Sequence, residues 1–149
     1  MAYRVYLVED HPAVREAYVA LFDGVDDLCV VGSAGSAEAA ILDLNEIEAD
    51  IAIVDIALLD PGARMNGIQL TGQLHRLWPR LRVLVVTAYD ETLYAEQVMR
   101  AGGRGYLMKQ DAAPNLLVAV RLVLGGGVAL SDRMKERLPQ ALYAQLPAL

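Results

Sequence analysis

The strongest constraint on this chain is an alternation between two hydrophobic periods. Five short apolar runs rich in β-branched residues, at 3–8, 28–32, 51–54, 81–86 and 105–108, read as strands. Between them apolar residues recur at helical spacing: Val14, Ala17, Tyr18 and Leu21, then Ala37, Ala40, Ile41 and Leu44. Leu70, Leu74 and Leu77 mark a third helix, and Ala95, Val98, Met99 and Gly102 a fourth. Ser36 and Asn66 stand where N-caps belong, Pro12 and Pro114 where a first turn favours proline, and Pro79 where the third helix must stop. Nearly continuous apolar strands joined by helices predict a parallel sheet covered on both faces. Right-handed crossovers make it a three-layer (βα)5 sandwich. Three glycines at 125–127 end the fifth helix and divide a domain over 1–126 from a linker or helical tail over 127–149.

Charge and composition exclude several classes of function. Thirteen Lys and Arg against nineteen Asp and Glu give a net charge of −6, too few cations for a nucleic-acid-binding face. The single cysteine, Cys29, allows neither an internal disulfide nor a cysteine-rich zinc site, and reads as a small core residue on an inner strand. Apolar runs fall short of the about 18 residues of a membrane span, being broken by Asp55 and Arg121. The N-terminus enters a strand pattern directly, without a secretory apolar region. The expectation is a cytoplasmic domain that binds neither membrane nor nucleic acid by itself.

In an open parallel sheet, ligands bind at the carboxyl ends of the strands. The residues at those ends therefore carry the chemistry. The first strand ends in Glu9-Asp10, the third in Asp55, the fourth in Thr87 and the fifth in Lys109. Three acids brought together repel one another unless a cation lies among them, and oxygen donors with no histidine or cysteine favour Mg2+. A hydroxyl and an ammonium opposite suit the remaining oxygens of a phosphoryl group. The set fits a phosphorylated carboxylate.

These residues and their surroundings resemble the receiver domain of two-component response regulators, over residues 3 to 127. Val-Glu-Asp-His-Pro at 8–12 is similar to the family's acidic motif, and Asp55 after Ile-Ala-Ile-Val matches its phosphoacceptor position. Val-Thr-Ala-Tyr at 86–89 and Gly-Tyr-Leu-Met-Lys at 105–109 match the hydroxyl and lysine motifs. Val-Val-Gly-Ser-Ala at 30–34 and Gly-Gly-Val-Ala-Leu-Ser at 126–131 are similar to the NarL/FixJ type, which commonly carries a helix-turn-helix output domain. The resemblance implies a doubly wound, flavodoxin-like α/β fold with a parallel five-stranded sheet in the order 2-1-3-4-5. It implies that Glu9, Asp10, Asp55 and the backbone carbonyl of Ala57 hold Mg2+. Asp55 would accept a phosphoryl group from a sensor histidine kinase or phosphotransfer protein. Thr87 would hydrogen-bond that group, Lys109 would pair with it, and Tyr106 would turn inward as an aromatic switch. The implied function is a phosphorylation-driven switch controlling an output such as transcription, with no turnover of a diffusing substrate.

Two departures from the family pattern stand out. Pro61 and Gly67 fall six and twelve residues after Asp55, against four and eight in the family, predicting a loop over 56–65 longer by about two to four residues. Gln110 follows Lys109 where many receivers place proline. Two other readings remain: a stand-alone receiver without a DNA-binding output, and an aspartate-nucleophile phosphatase. The second needs an acid two residues after the nucleophile, where this chain has Ala57. A flavodoxin-like binder would share the fold but not the acid cluster. His11 reads as a loop or capping residue, His75 as surface and Trp78 as a helix-end anchor. The helix at 116–124 is apolar nearly all round. This predicts cover by a second copy through Leu116, Val120 and Val123, or by the tail residues Met134, Leu138, Leu142 and Leu146. Pro139 should bend or break the tail helix.

Overall fold

The computed structural model describes residues 2–58 and 64–149. Element order is β1 (Tyr3–Val8), α1 (Pro12–Asp23), β2 (Leu28–Ala34), α2 (Ala37–Leu44), β3 (Ile51–Val54) and α3 (Gly67–Leu77). Then follow β4 (Arg82–Thr87), α4 (Glu91–Arg100), β5 (Tyr106–Met108), α5 (Lys109–Leu124), α6 (Asp132–Arg137) and a 3-10 turn over Gln140–Tyr143. The strands pair in parallel in the order β2-β1-β3-β4-β5, as expected.

Strand alternation builds the layers. Val5 and Leu7 of β1 share a core with Phe22 of α1 and Leu116 and Val120 of α5. Their neighbours Tyr6 and Val8 pack on the opposite face with Ala40 of α2 and Leu70 and Leu74 of α3. Over Val85 and Tyr106 that second face is closed by Ala95, Val98 and Met99 of α4. The caps form as read: Ser36 accepts from the Ala39 N–H, and Asn66 and Gln69 make a reciprocal capping box at the start of α3. Pro12 opens α1.

Several local expectations change. Helix α5 begins at Lys109, immediately after β5, so Pro114 lies inside the helix on its exposed face rather than in the first turn. Cys29 is exposed, because β2 is an edge strand of the sheet. Leu77 is exposed, while Leu70 and Leu74 carry the buried stripe of α3. Leu116, Val120 and Val123 face the core and are closed to any second copy; the large aliphatic side chains that α5 exposes are Val118 and Leu122. The length predicted for the 56–65 loop, with Pro61, falls partly outside the described residues.

The segment after α5 packs along the domain. Ala129 pairs with the outer edge of β5: the Tyr106 N–H donates to its carbonyl at 2.8 Å, and its N–H donates to the Arg104 carbonyl at 3.0 Å. Ser131 caps α6, which ends before Pro139. Met134 and Leu138 are buried in the cluster that contains Val98 and Tyr106. Beyond the 3-10 turn the chain returns under the sheet. Arg104 donates to the Ala144 carbonyl at 2.6 Å, and Arg82 to the Pro147 carbonyl at 2.8 Å. Leu146 closes onto Gly126, whose φ of 93° and missing Cβ permit the approach.

Candidate functional site

Strand ends bring together the residues picked out in the sequence. Glu9, Asp55 and Thr87 are buried where β1, β3 and β4 end, and Lys109 follows β5. The Lys109 ammonium donates to Glu9 Oε1 at 2.8 Å and to Asp55 Oδ2 at 2.9 Å. Asp55 Oδ1 accepts from the Ala57 N–H at 3.3 Å. Gly67 lets α3 start against this turn: its N–H donates to the Ile56 carbonyl, and a Cβ there would collide with the Asp55 carbonyl.

One lysine faces two buried carboxylates, and their protonation reflects it. Burial, reinforced by Asp55, pushes Glu9 up to about 7 against the pull of Lys109. Burial also raises Asp55, but its interactions with Glu9, Lys109 and Thr87 more than offset this and hold it below the usual carboxylate value. For Lys109 burial acts downward and is outweighed by the two acids, so the ammonium is strengthened. The acids therefore titrate as a pair.

The donor set fits a divalent cation. Glu9, Asp10 and His11 each place a donor atom within 4.8 Å of the others. Among the described residues Glu9 Oε2 is buried without a hydrogen-bond partner, an arrangement that a metal ion or its water would satisfy. His11 occupies the N-cap position of α1, as a capping reading requires, but makes no side-chain cap bond. Its Nδ1 instead lies 3.0 Å from Asp10 Oδ1 and 3.4 Å from Glu9 Oε1.

Tyr106 is buried, and its hydroxyl donates to the Tyr89 carbonyl at 2.8 Å. Tyr89 in turn donates its N–H toward Thr87 Oγ1 at 3.5 Å. Sequence reasoning passed over Glu91 at the start of α4. It is buried, and it accepts from Ser131 Oγ and from Arg133 Nη2, each at 2.9 Å. An acid beside Asp90 in a first helical turn reads as a solvated dipole partner, so nothing local marked it.

Comparison with known proteins identifies relatives of this chain. Residues 5–121 match the response regulator receiver domain family. The chain is 30% identical over 135 residues to the response regulator GacA of Pseudomonas viridiflava, covering 91% of this chain and 61% of GacA. It is 36% identical over 143 residues to the DNA-binding transcriptional activator DevR/DosR of Mycobacterium tuberculosis, covering 96% of this chain and 62% of that protein. It thus spans about three fifths of the length of these relatives. Among solved structures, a LuxR-family two-component response regulator from Aurantimonas sp. SI85-9A1 superposes with a TM-score of 0.81 at 30% identity, covering 91% of this chain and 94% of that one. The isolated receiver domain of RcsB from Salmonella enterica serovar Typhimurium has the same fold, with a TM-score of 0.81 at 22% identity over 93% of this chain and all of that one. Fold, acidic strand ends and sequence kinship converge, and the chain belongs to the response regulator receiver domain family.

Proposed function

We propose that Asp55 is the phosphoacceptor of this receiver, taking its phosphoryl group from a phosphohistidine on a sensor kinase or phosphotransfer protein. A phosphorylation-dependent switch is general to the family, and receiver domains generally bind Mg2+ at an acidic pocket. The observation that carries the assignment is the Lys109 ammonium bridging Asp55 and Glu9 at the strand ends. An Asp55 carboxylate oxygen attacks phosphorus, the new O–P bond replaces the N–P bond, and the imidazole departs. Thr87 donates a hydrogen bond to the incoming group and Lys109 neutralises its charge, so the protein contributes position and electrostatics. Glu9, Asp10, Asp55 and the Ala57 carbonyl would hold Mg2+, which supplies further neutralisation of the phosphoryl oxygens when bound.

Tyr106 transmits the change to α4 and β5. In this reading residues 1–126 are the receiver and 127–149 a helical tail, the protein is cytoplasmic, and the output is transcriptional control through a DNA-binding part. Among the described residues no helix is long and apolar enough to cross a membrane. Self-association through α5 would use the exposed Val118 and Leu122. Acetyl phosphate or beryllofluoride with Mg2+ tests the assignment. One phosphoryl adduct on the parent chain and none on Asp55→Asn, by intact mass, is the expected result. A full adduct on the variant refutes it.

A further inference from the structure

The tail and the site meet on the two sides of one short turn. Residues 88–90, between β4 and α4, are exposed, whereas Thr87 before them and Glu91 after them are buried. Few buried contacts of its own hold this turn, so its flanks set its position. On one flank the Tyr106 hydroxyl holds the Tyr89 carbonyl, and the Tyr106 ring packs in a cluster with Val128, Met134 and Leu138 of the tail. The Tyr106 N–H also donates to the Ala129 carbonyl. On the other flank Glu91 is fastened by Ser131 and Arg133. The tail thus bears on this segment from both sides, through Tyr106 on one and Glu91 on the other, and the segment's Tyr89 N–H lies 3.5 Å from Thr87 Oγ1, at the strand-end edge that carries Asp55.

A donor stabilises charge on a phosphoryl group most when its orientation is fixed before the charge arrives. We propose that the tail over residues 127–149 is a positioning element for the Asp55 site. Docked on α4 and β5, it holds the 88–90 turn, and through it Thr87, in the orientation that a phosphoryl group on Asp55 needs. This rests on the reading of Asp55 as the phosphoacceptor. The coupling is reciprocal: a tail that strengthens binding at Asp55 is itself held more tightly, by the same factor, once Asp55 is occupied. A tail that merely covers the apolar side of α4 would leave the site's affinity untouched.

The test uses the full chain and two variants. Arg133→Ala removes an exposed partner of buried Glu91, and Met134→Asp with Leu138→Asp ejects the apolar anchors. Beryllofluoride affinity in Mg2+ is measured by calorimetry, and tail docking by hydrogen exchange at the Tyr106 and Ala129 amides. Exchange at β1 and β3 reports whether the core survives, and if the double variant unfolds, Arg133→Ala decides alone. The expected result is a loss of affinity of roughly fivefold or more in the double variant and a smaller loss in Arg133→Ala. In the parent, beryllofluoride should slow exchange at Ala129 by a matching factor. Parent affinity in a variant whose tail amides have lost protection overturns the proposal. Absence of binding to the parent overturns the Asp55 reading beneath it.

Discussion

The carboxyl edge of the sheet and the tail are held by different forces. At the edge, two buried carboxylates share one lysine, so each charge depends on the others. Along the tail, apolar anchors and backbone carbonyls do most of the work, joined by the ion pair between Arg133 and Glu91. Removing one charge from the edge leaves its neighbours unbalanced, whereas the tail divides its attachment among many small contacts. The edge is therefore poised for a change of charge, and the tail is suited to local opening.

The largest expected effect breaks the edge chemically without unfolding it. Asp55→Asn should abolish the phosphoryl adduct seen by intact mass, while circular dichroism stays that of the parent because Lys109 keeps Glu9. The next effect is mechanical. In Gly67→Ala the new Cβ would strike the Asp55 carbonyl and lie 2.7 Å from Ile56 Cα, contacts that only a backbone shift relieves. A cost of about 2–3 kcal/mol is expected. Calorimetry should show Tm falling by about 2–4 °C for each kcal/mol lost. An unchanged Tm would mean that α3 is not seated on the phosphoacceptor turn.

Lys109→Met should cost somewhat less, about 1–3 kcal/mol, because it strips the bridging cation from Glu9 and Asp55 but one acid can take up a proton. Mg2+ should raise the Tm of this variant more than that of the parent, the ion replacing the lost positive charge. Equal increments in both proteins would separate the acid cluster from the metal site.

The contrast between the two regions also explains what could be read in the sequence. A parallel strand with both faces buried must end where its apolar run ends, so Glu9, Asp55 and Thr87 could be placed at the sheet edge from sequence alone. Cys29 went astray because its environment depends on strand order: its run looks like an inner strand, but β2 lies at the edge. Pro114 went astray because the start of α5 is set by where β5 stops. Leu116, Val120 and Val123 looked available to a second copy because one helix's sequence does not show how much of its circumference the sheet and α1 will cover. The tail grips were silent for another reason. Arg82 and Arg104 hold the carbonyls of Pro147 and Ala144, groups that every residue carries. The buried Glu91 acquires its role only when residues 40 and 42 positions away fold back to it.

The smallest expected effect asks whether the tail is a separate cooperative unit. Ser131 accepts from the Met134 N–H at 3.2 Å as the cap of α6 and donates to Glu91 at 2.9 Å. Ser131→Ala loses both bonds, and a lost cap costs about 1 kcal/mol. Helix α6 spans only six residues, so a loss of this size weakens a large share of its local stability. Its amides should then open without the core, since regions joined by few buried contacts unfold sub-globally. Hydrogen exchange at Leu138, whose N–H donates to the Met134 carbonyl, should accelerate about fivefold, the factor that corresponds to about 1 kcal/mol. Amides in β1 and β3 should keep parent rates, and Tm should hardly move. If instead Tm falls as far as in Gly67→Ala, with tail and core amides opening together, the tail belongs to the same cooperative unit as the sheet. The mechanical difference between the two regions would then be gone, and any message from Asp55 to the tail would have to pass through the whole fold.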